Sequence, residues 1–230
     1  MLYCTNMEVH PMKRIANVLL PASLLFVLWG CHIGVHGSGV RKTEKRDLPS
    51  FTAIETTGAF DVQVTCQKPA SFEIEGDDNL LPLIQTEVRN GVLRVSSTKR
   101  YSTRNPISLR ITVPDLASVS STGAGRFRVS DLKNESFEIH STGAATVIVE
   151  GESTFVRISS TGAGRIDTHD LRASKVEVTV TGVAAVDVYA SDQLDVNVSG
   201  AGRVTYSGDA KVNKHVSGAG EVTRKQESGV

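Results

Sequence analysis

The chain has 230 residues, with 25 basic and 25 acidic side chains and a formal net charge of zero. No global field therefore favours nucleic acid, and the balance excludes functions that depend on a strongly basic or acidic surface. Aromatic residues make up only 5% of the chain and glycine occurs 20 times, a composition typical of many short β-strands around a thin core. The length suits one domain plus a targeting segment.

Residues 1–31 have the proportions of a secretory signal peptide. A basic stretch at 12–14 precedes an apolar run at 15–29, which Pro21 interrupts. The run is too short and too broken to predict a membrane span, and its order of segments is typical of a signal for export. Met12 is the predicted translation start, because residues 1–11 add nothing to such a signal.

The signal ends in Leu28-Trp29-Gly30-Cys31, which resembles a bacterial lipobox. In that motif the cysteine becomes the lipidated first residue, so Cys31 is the predicted attachment point of a membrane anchor. Trp29 departs from the small residue usual at its position, and the alternative is an ordinary signal cleaved near residues 35–37. His32 follows the cysteine where an aspartate would retain the protein, so the resemblance implies an outer-membrane lipoprotein facing the periplasm or the exterior.

Residues 32–47 are polar and rich in Gly, Ser and Lys, which predicts a flexible tether before a domain at 48–224. In its first part, 51–114, a corner at Gly58 precedes an alternating strand, and Asn90-Gly91 predicts a hairpin turn. This part is the predicted N-terminal cap of a stacked fold. Cys66 stands alone in the domain and is predicted to be a small packed side chain. Residues 225–230 are predicted to be a disordered tail.

A seven-residue phrase recurs through the second half, first as Ser-Thr-Gly-Ala-Gly-Arg-Phe at 121–127. Its leading glycines follow one another at steps of 20, 19, 20, 18 and 18 residues. A fixed period near 20 is typical of a solenoid, in which each repeat contacts only its neighbours. Glycine accepts positive φ and lets successive turns approach closely. The predicted structural corners are therefore Gly58, Gly123, Gly143, Gly162, Gly182, Gly200 and Gly218.

Strands that alternate between apolar and polar residues lie between these corners, as at 176–180 and 194–198. Period two marks strands with one buried face, and each repeat supplies two of them. The predicted fold is all-β, a right-handed parallel β-helix-like solenoid with repeats of about 20 residues. At about 4.8 Å between strands, eight or nine turns would give a rod of roughly 40 Å. Its last turn would leave an unpaired edge, which favours a homo-oligomer.

Several ordered segments resemble one family of bacterial envelope proteins. They are the Phe-Thr-Ala-Ile of 51–54 with the following Gly58, the segments 76–81, 88–93 and 109–116, and the repeated phrases up to 222. Together, over about 48–224, they resemble the auto-transporter adhesin head GIN domain family, which is common in Bacteroidetes. The resemblance implies a right-handed β-solenoid on an exported, often lipid-anchored protein.

No group of residues predicts catalysis, a metal site or a cofactor. His140, His169 and His215 lie in three different repeats and have no recognised ligand spacing. Asp167 and Asp187 each follow a corner glycine by five positions, but the other repeats carry different residues there. A calcium ladder needs an aspartate turn after turn, so none is predicted.

Arginines follow the Gly-Ala-Gly phrase in three repeats, at Arg126, Arg165 and Arg203. They predict either a ridge for an anionic polysaccharide or a solvated surface row, and Tyr189 and Tyr206 are candidate sugar platforms. The predicted role is a non-enzymatic structural or adhesion module of the cell envelope, which contacts a glycan or an envelope protein. Two alternatives stay open: a polysaccharide-binding or polysaccharide-cleaving β-helix, and a self-assembling scaffold.

Overall fold

The computed structural model describes residues 34–225. The predicted signal peptide, the lipidation site at Cys31 and most of the predicted tail lie outside the described residues. Strands dominate the described part, and its one helical element is a single 3-10 turn, Leu81–Leu83. None of its helices is long and apolar enough to span a membrane.

The strands are numbered in chain order. They are β1 (Val35–His36), β2 (Arg41–Lys45), β3 (Ala53–Gly58), β4 (Phe60–Thr65), β5 (Ser71–Asp77), β6 (Ile84–Arg89), β7 (Val92–Ser97), β8 (Tyr101–Ser102), β9 (Ile107–Thr112), β10 (Ser118–Gly123), β11 (Arg126–Gly143), β12 (Thr146–Gly162), β13 (Arg165–Thr168), β14 (Leu171–Gly182), β15 (Ala185–Tyr189), β16 (Gln193–Gly200), β17 (Arg203–Ser207), β18 (Lys211–Ser217) and β19 (Glu221–Arg224).

From β10 onward the chain is a parallel coil of about 5 turns with a repeat of about 20 residues. In each turn a long strand ends at a glycine, the chain bends, and a second strand follows, as in β14 and β15. Each strand pairs in parallel with the strand one repeat away, so β14 lies between β12 and β16. The predicted all-β solenoid is confirmed.

The core is a set of inward rows that run along the coil. Because side chains alternate along a strand, the same inward position recurs in every turn and apolar residues stack on one another. One such row is at most 1% exposed at every position: Ile54, Val119, Ile139, Ile158, Val178 and Val196. A single two-strand unit could not bury this face alone, so stacking supplies the stability.

The first half forms a cap, as predicted, but it does so with antiparallel strands and not with further turns of the coil. β3 and β4 continue the parallel stack, whereas β5, β6 and β2 pair in antiparallel fashion on top of it. Leu80 and Leu81, at the start of the 3-10 turn, are fully buried. The expectation of eight or nine turns is therefore wrong, because this part of the chain turns back instead of winding on.

The flexible tether predicted over 32–47 is not what residues 34–47 show. β2 pairs with β5 over five positions, from Arg41 opposite Asp77 to Lys45 opposite Glu73. Its charged side chains are matched across the pair, since Arg41 lies 3.2 Å from Glu75 and Lys45 lies 3.2 Å from Glu73. Just after β2, Arg46 Nη1 donates to the carbonyl of Ile84 at 2.8 Å. A polar segment becomes a strand here because an existing edge satisfies its backbone groups.

Candidate functional site

The seven predicted corner glycines lie one above another at one edge of the coil, and we call them the corner column. Their φ angles lie between +108° and +130°. A Cβ added to any of them from Gly123 onward would come within 2.6 Å of the carbonyl oxygen of the glycine one turn before. Only glycine permits both the backbone conformation and this approach, so the column holds the turns in register and sets where every outward side chain lies.

The three arginines that follow the corners do not form a continuous ridge. In register, Arg126 pairs with Thr146, which pairs with Arg165, and Arg165 pairs with Ala185, which pairs with Arg203. The arginines therefore lie two turns apart, about 10 Å along the coil. The small Ala185 leaves a shallow cavity of about 220 Å³ between Arg165 and Arg203.

Both arginines beside this cavity already have anionic neighbours. Arg165 Nη2 lies 3.6 Å from a carboxylate oxygen of Asp167, and Arg203 Nε lies 3.3 Å from one of Glu221. An incoming anion would have to compete with these carboxylates. The cavity is thus a weaker anion site than the three arginines suggest from sequence.

The two candidate tyrosines do not share a surface. Tyr206 aligns with the buried Val188 and packs against the core near the end of the coil. Tyr189 instead lies under the side chain of Arg172, whose guanidinium carbon is 4.3 Å from the ring centroid. A cation over the ring is a stabilising contact that covers one aromatic face. No joint sugar platform results from this pair.

The histidines do not converge on a common site. His140 Nε2 is 3.3 Å from Glu138, His169 Nδ1 is 3.1 Å from the hydroxyl of Ser207, and His215 lies on β18. Within residues 34–225, no three His, Cys, Asp or Glu side chains are placed to hold a metal ion.

Cys66 is fully buried, and it is the free cysteine of the described part. Burial raises the pKa of its thiol to about 12, with smaller contributions from the charges of Asp115 and Asp131. The thiol is therefore neutral at ordinary pH and unsuited to nucleophilic chemistry.

A row of charged side chains lies on the outer face of the coil and was not predicted from the sequence. Arg157 bridges Glu138 at 3.2 Å and Glu177 at 3.0 Å, so one guanidinium links three successive turns. The hydrogen bond to Glu177, followed by its charge, raises the pKa of Arg157. Asp195 continues the row and accepts from Asn213 at 2.8 Å. We call these residues the acidic row.

A signal for the acidic row was present in the sequence. Each of its first four members lies five positions before a corner glycine, so equal spacing placed them in one line. Alternation already predicts that these side chains face outward, but the ion pairs of Arg157 with Glu138 and Glu177 depend on which strands are neighbours in the coil.

The last turn differs from the turns before it. β18 pairs with β16 and β19 pairs with β17, and neither has a second neighbour among residues 34–225. Lys214 aligns with the buried Val196, in a row that is apolar in every earlier turn. Val216 is 38% exposed. The edge foreseen from sequence exists, but a lysine occupies its core position.

A family model described as "Putative auto-transporter adhesin, head GIN domain" matches residues 50–210. Among curated proteins, none matches the chain. Solved structures share the fold at low identity. A putative adhesin from Bacteroides fragilis superposes with a TM-score of 0.67 at 23% identity, covering 84% of this chain and 100% of that one.

Two structures from Parabacteroides also superpose over 84% of this chain and 99% of their own. One, from Parabacteroides distasonis, is titled a putative lipid binding protein, with a TM-score of 0.56 at 20% identity. The other, from Parabacteroides merdae, is titled a putative adhesin, with a TM-score of 0.53 at 19% identity. At these identities the likeness shows the fold alone.

Proposed function

Because this chain belongs to the auto-transporter adhesin head GIN domain family, we propose that it is an exported, envelope-anchored adhesion module without enzymatic activity. The observation that carries the proposal is the outer face of the coil, where the acidic row and its neighbours repeat across successive turns at one position per turn. A long, regular surface suits contact with an extended partner. Catalysis instead needs groups that converge on one point.

The anchor is the lipidated Cys31 of the mature protein, supported by the lipobox-like sequence at 28–31. Cells that express the full chain would be fed an alkyne-bearing fatty acid, and the labelled protein would be detected after purification. Replacement of Cys31 by serine is expected to abolish labelling and release the protein from the membrane fraction. The matched control is Cys66→Ser, and equal labelling of both variants would contradict the anchor.

Adhesion is tested with the full chain on arrays of glycans and purified envelope proteins, with and without calcium. Selective binding without release of product would support the proposal, whereas release of cleaved sugars would overturn the non-enzymatic assignment. If no glycan binds but an envelope protein does, the contact is a protein–protein one. The absence of binding on both arrays would contradict the proposed adhesion function.

The acidic row is the expected contact surface, so a variant should weaken the binding that the arrays detect. Arg157→Ala removes the cation that spans three turns while leaving the buried side intact. The matched control is Arg89→Ala, which removes an exposed arginine paired with Glu87 on the cap at 2.6 Å. Equal loss in both variants would place the contact away from the row.

A further inference from the structure

The two ends of the coil are closed differently. At the beginning, antiparallel strands of the cap cover the stack. At the other end, β18 pairs only with β16 and β19 only with β17 among residues 34–225. The free side of an edge strand presents unpaired N–H and C=O groups, which are a template for another strand.

The side chains of β18 set what could pair there. Its inward positions are Val212, Lys214 and Val216, aligned with Leu194, Val196 and Val198 of the turn before. Lys211 and His215 add two more basic side chains at the same edge. None of these three basic residues has an acidic partner within 4 Å among the described residues, although Arg224 and Lys225 nearby are paired.

A second copy of this chain is a poor occupant of the edge. A symmetric antiparallel pair of two β18 strands centred on Lys214 would place one lysine directly opposite the other, and like charges opposed across strands are destabilising. At the other end, the three basic residues of β2 are each paired with a carboxylate. The symmetric β18 pair therefore opposes positive charge to positive charge, which weakens that form of the scaffold alternative.

We propose that this edge binds an extended acidic segment of another protein as one further strand of the coil. The segment carries apolar, acidic and apolar residues at alternate positions, so that a carboxylate lies over Lys214 while apolar side chains cover Val212 and Val216. Main-chain hydrogen bonds supply affinity in such strand addition, and the alternate side chains supply specificity. The site lies at the end of the coil, where the last member of the acidic row, Asn213, is on the opposite face of β18 from Lys214.

The probe is a nine-residue fluorescent peptide with valine, glutamate and valine at alternate positions and threonine between them. The matched control replaces the glutamate by lysine. Fluorescence anisotropy with the full chain is expected to show at least tenfold tighter binding of the glutamate peptide, falling with salt. Backbone amide exchange is expected to slow at 211–217. Equal affinity for the two peptides, or protection elsewhere, would overturn the proposal.

Charge reversal provides the decisive variant. Lys214→Glu is expected to reverse the preference so that the lysine peptide binds more tightly, while Lys133→Glu, on a different side of the coil, leaves it unchanged. Lys214→Gln, which keeps the size and removes the charge, is expected to abolish discrimination. An unchanged preference in Lys214→Glu with a native thermal transition, or dimers of the native chain in sedimentation at micromolar concentration, would contradict the assignment.

Discussion

From Gly123 onward, each corner glycine lies against the backbone of the turn before it, and the same close approach recurs in every turn. At Gly162 the φ angle is +129°, and the position of an added Cβ collides with the carbonyl of Gly143. Gly91 in the cap shares positive φ, at +76°, but an added Cβ there would meet nothing within 4 Å. Comparison of alanine substitutions at Gly162 and Gly91 therefore separates the cost of backbone strain from the cost of steric collision.

Gly162→Ala is expected to lower the free energy of unfolding by about 3 kcal/mol or more, because strain and overpacking add. Gly91→Ala is expected to cost about 1 kcal/mol, since only the left-handed conformation is penalised. Urea denaturation of both variants checks this. Equal losses would mean that the collision is relieved by a shift of the turns.

Neighbouring turns also pack against one another through a second row of inward side chains, two residues before each corner glycine. Four of its members are hydroxyls that are buried and have no hydrogen-bond partner within the described part: Thr56, Ser121, Ser141 and Ser160. Later turns carry valine instead, and there the residue above is glycine, since a Cβ on Gly202 would lie 2.6 Å from Val180 Cγ1. Glycine above the row therefore leaves room for the larger valine, although a glycine, Gly164, also lies over Ser141.

This matching predicts a coupled pair of substitutions. Ser160→Val alone is expected to be neutral or destabilising, because Ala184 occupies the place that Gly202 has above Val180. With Ala184→Gly added, the valine gains room and the unpaired hydroxyl, which costs about 1–3 kcal/mol, is gone. A double-mutant cycle by urea denaturation should give a favourable coupling of at least about 0.5 kcal/mol. Strict additivity would exclude the contact.

The pairing of β2 with β5 predicts a dependence on pH. The hydrogen bond from Arg41, and less strongly Arg110, lowers the pKa of Glu75 against the opposing effect of burial. A depressed folded-state pKa stabilises above the unfolded pKa of about 4.3, and that stability is lost as pH falls through the folded value.

Glu75→Gln is therefore expected to reduce stability at pH 7 by less than about 1 kcal/mol, because the carboxylate is partly solvated. The difference from the native chain should shrink below pH 4, as followed by thermal unfolding at several pH values. Glu150→Gln, at an exposed position without an ion pair among residues 34–225, is the control. A difference that persists at low pH would argue against the charge.

The strands and corners of the fold differ in how well they could be predicted from the sequence. Corners and coil strands followed from the repeated phrase, because period and alternation are local properties of the chain. β2 was missed since its five polar residues become a strand only where β5 offers an edge. Lys214 was missed although it lies four residues before Gly218, as Val196 lies four before Gly200, because a charged residue there breaks the apolar alternation that marks a core position.

For the molecule as a whole, stability should fall toward the last turn. Interior strands such as β14 pair on both sides, whereas β18 and β19 pair on one, and the residues of β18 are mostly exposed. In a stacked array, a terminal repeat lacks one neighbouring interface. Backbone amide exchange is expected to be faster at 211–224 than at 176–182. Uniform protection across both segments would contradict a fraying end.

The corner column also bears on how such a molecule can change over generations. From Gly123 onward the glycines stay aligned although their steps along the chain range from 18 to 20 residues. The difference is taken up elsewhere in the turn, as where the register shifts between Val129 and Leu132 around Asp131, whose φ is +58°. Insertions away from the corner are thus tolerated, and duplication or loss of one complete turn conserves every other alignment. One complete turn is therefore the unit that can be gained or lost, and the coil can lengthen without a change in the packing of its core.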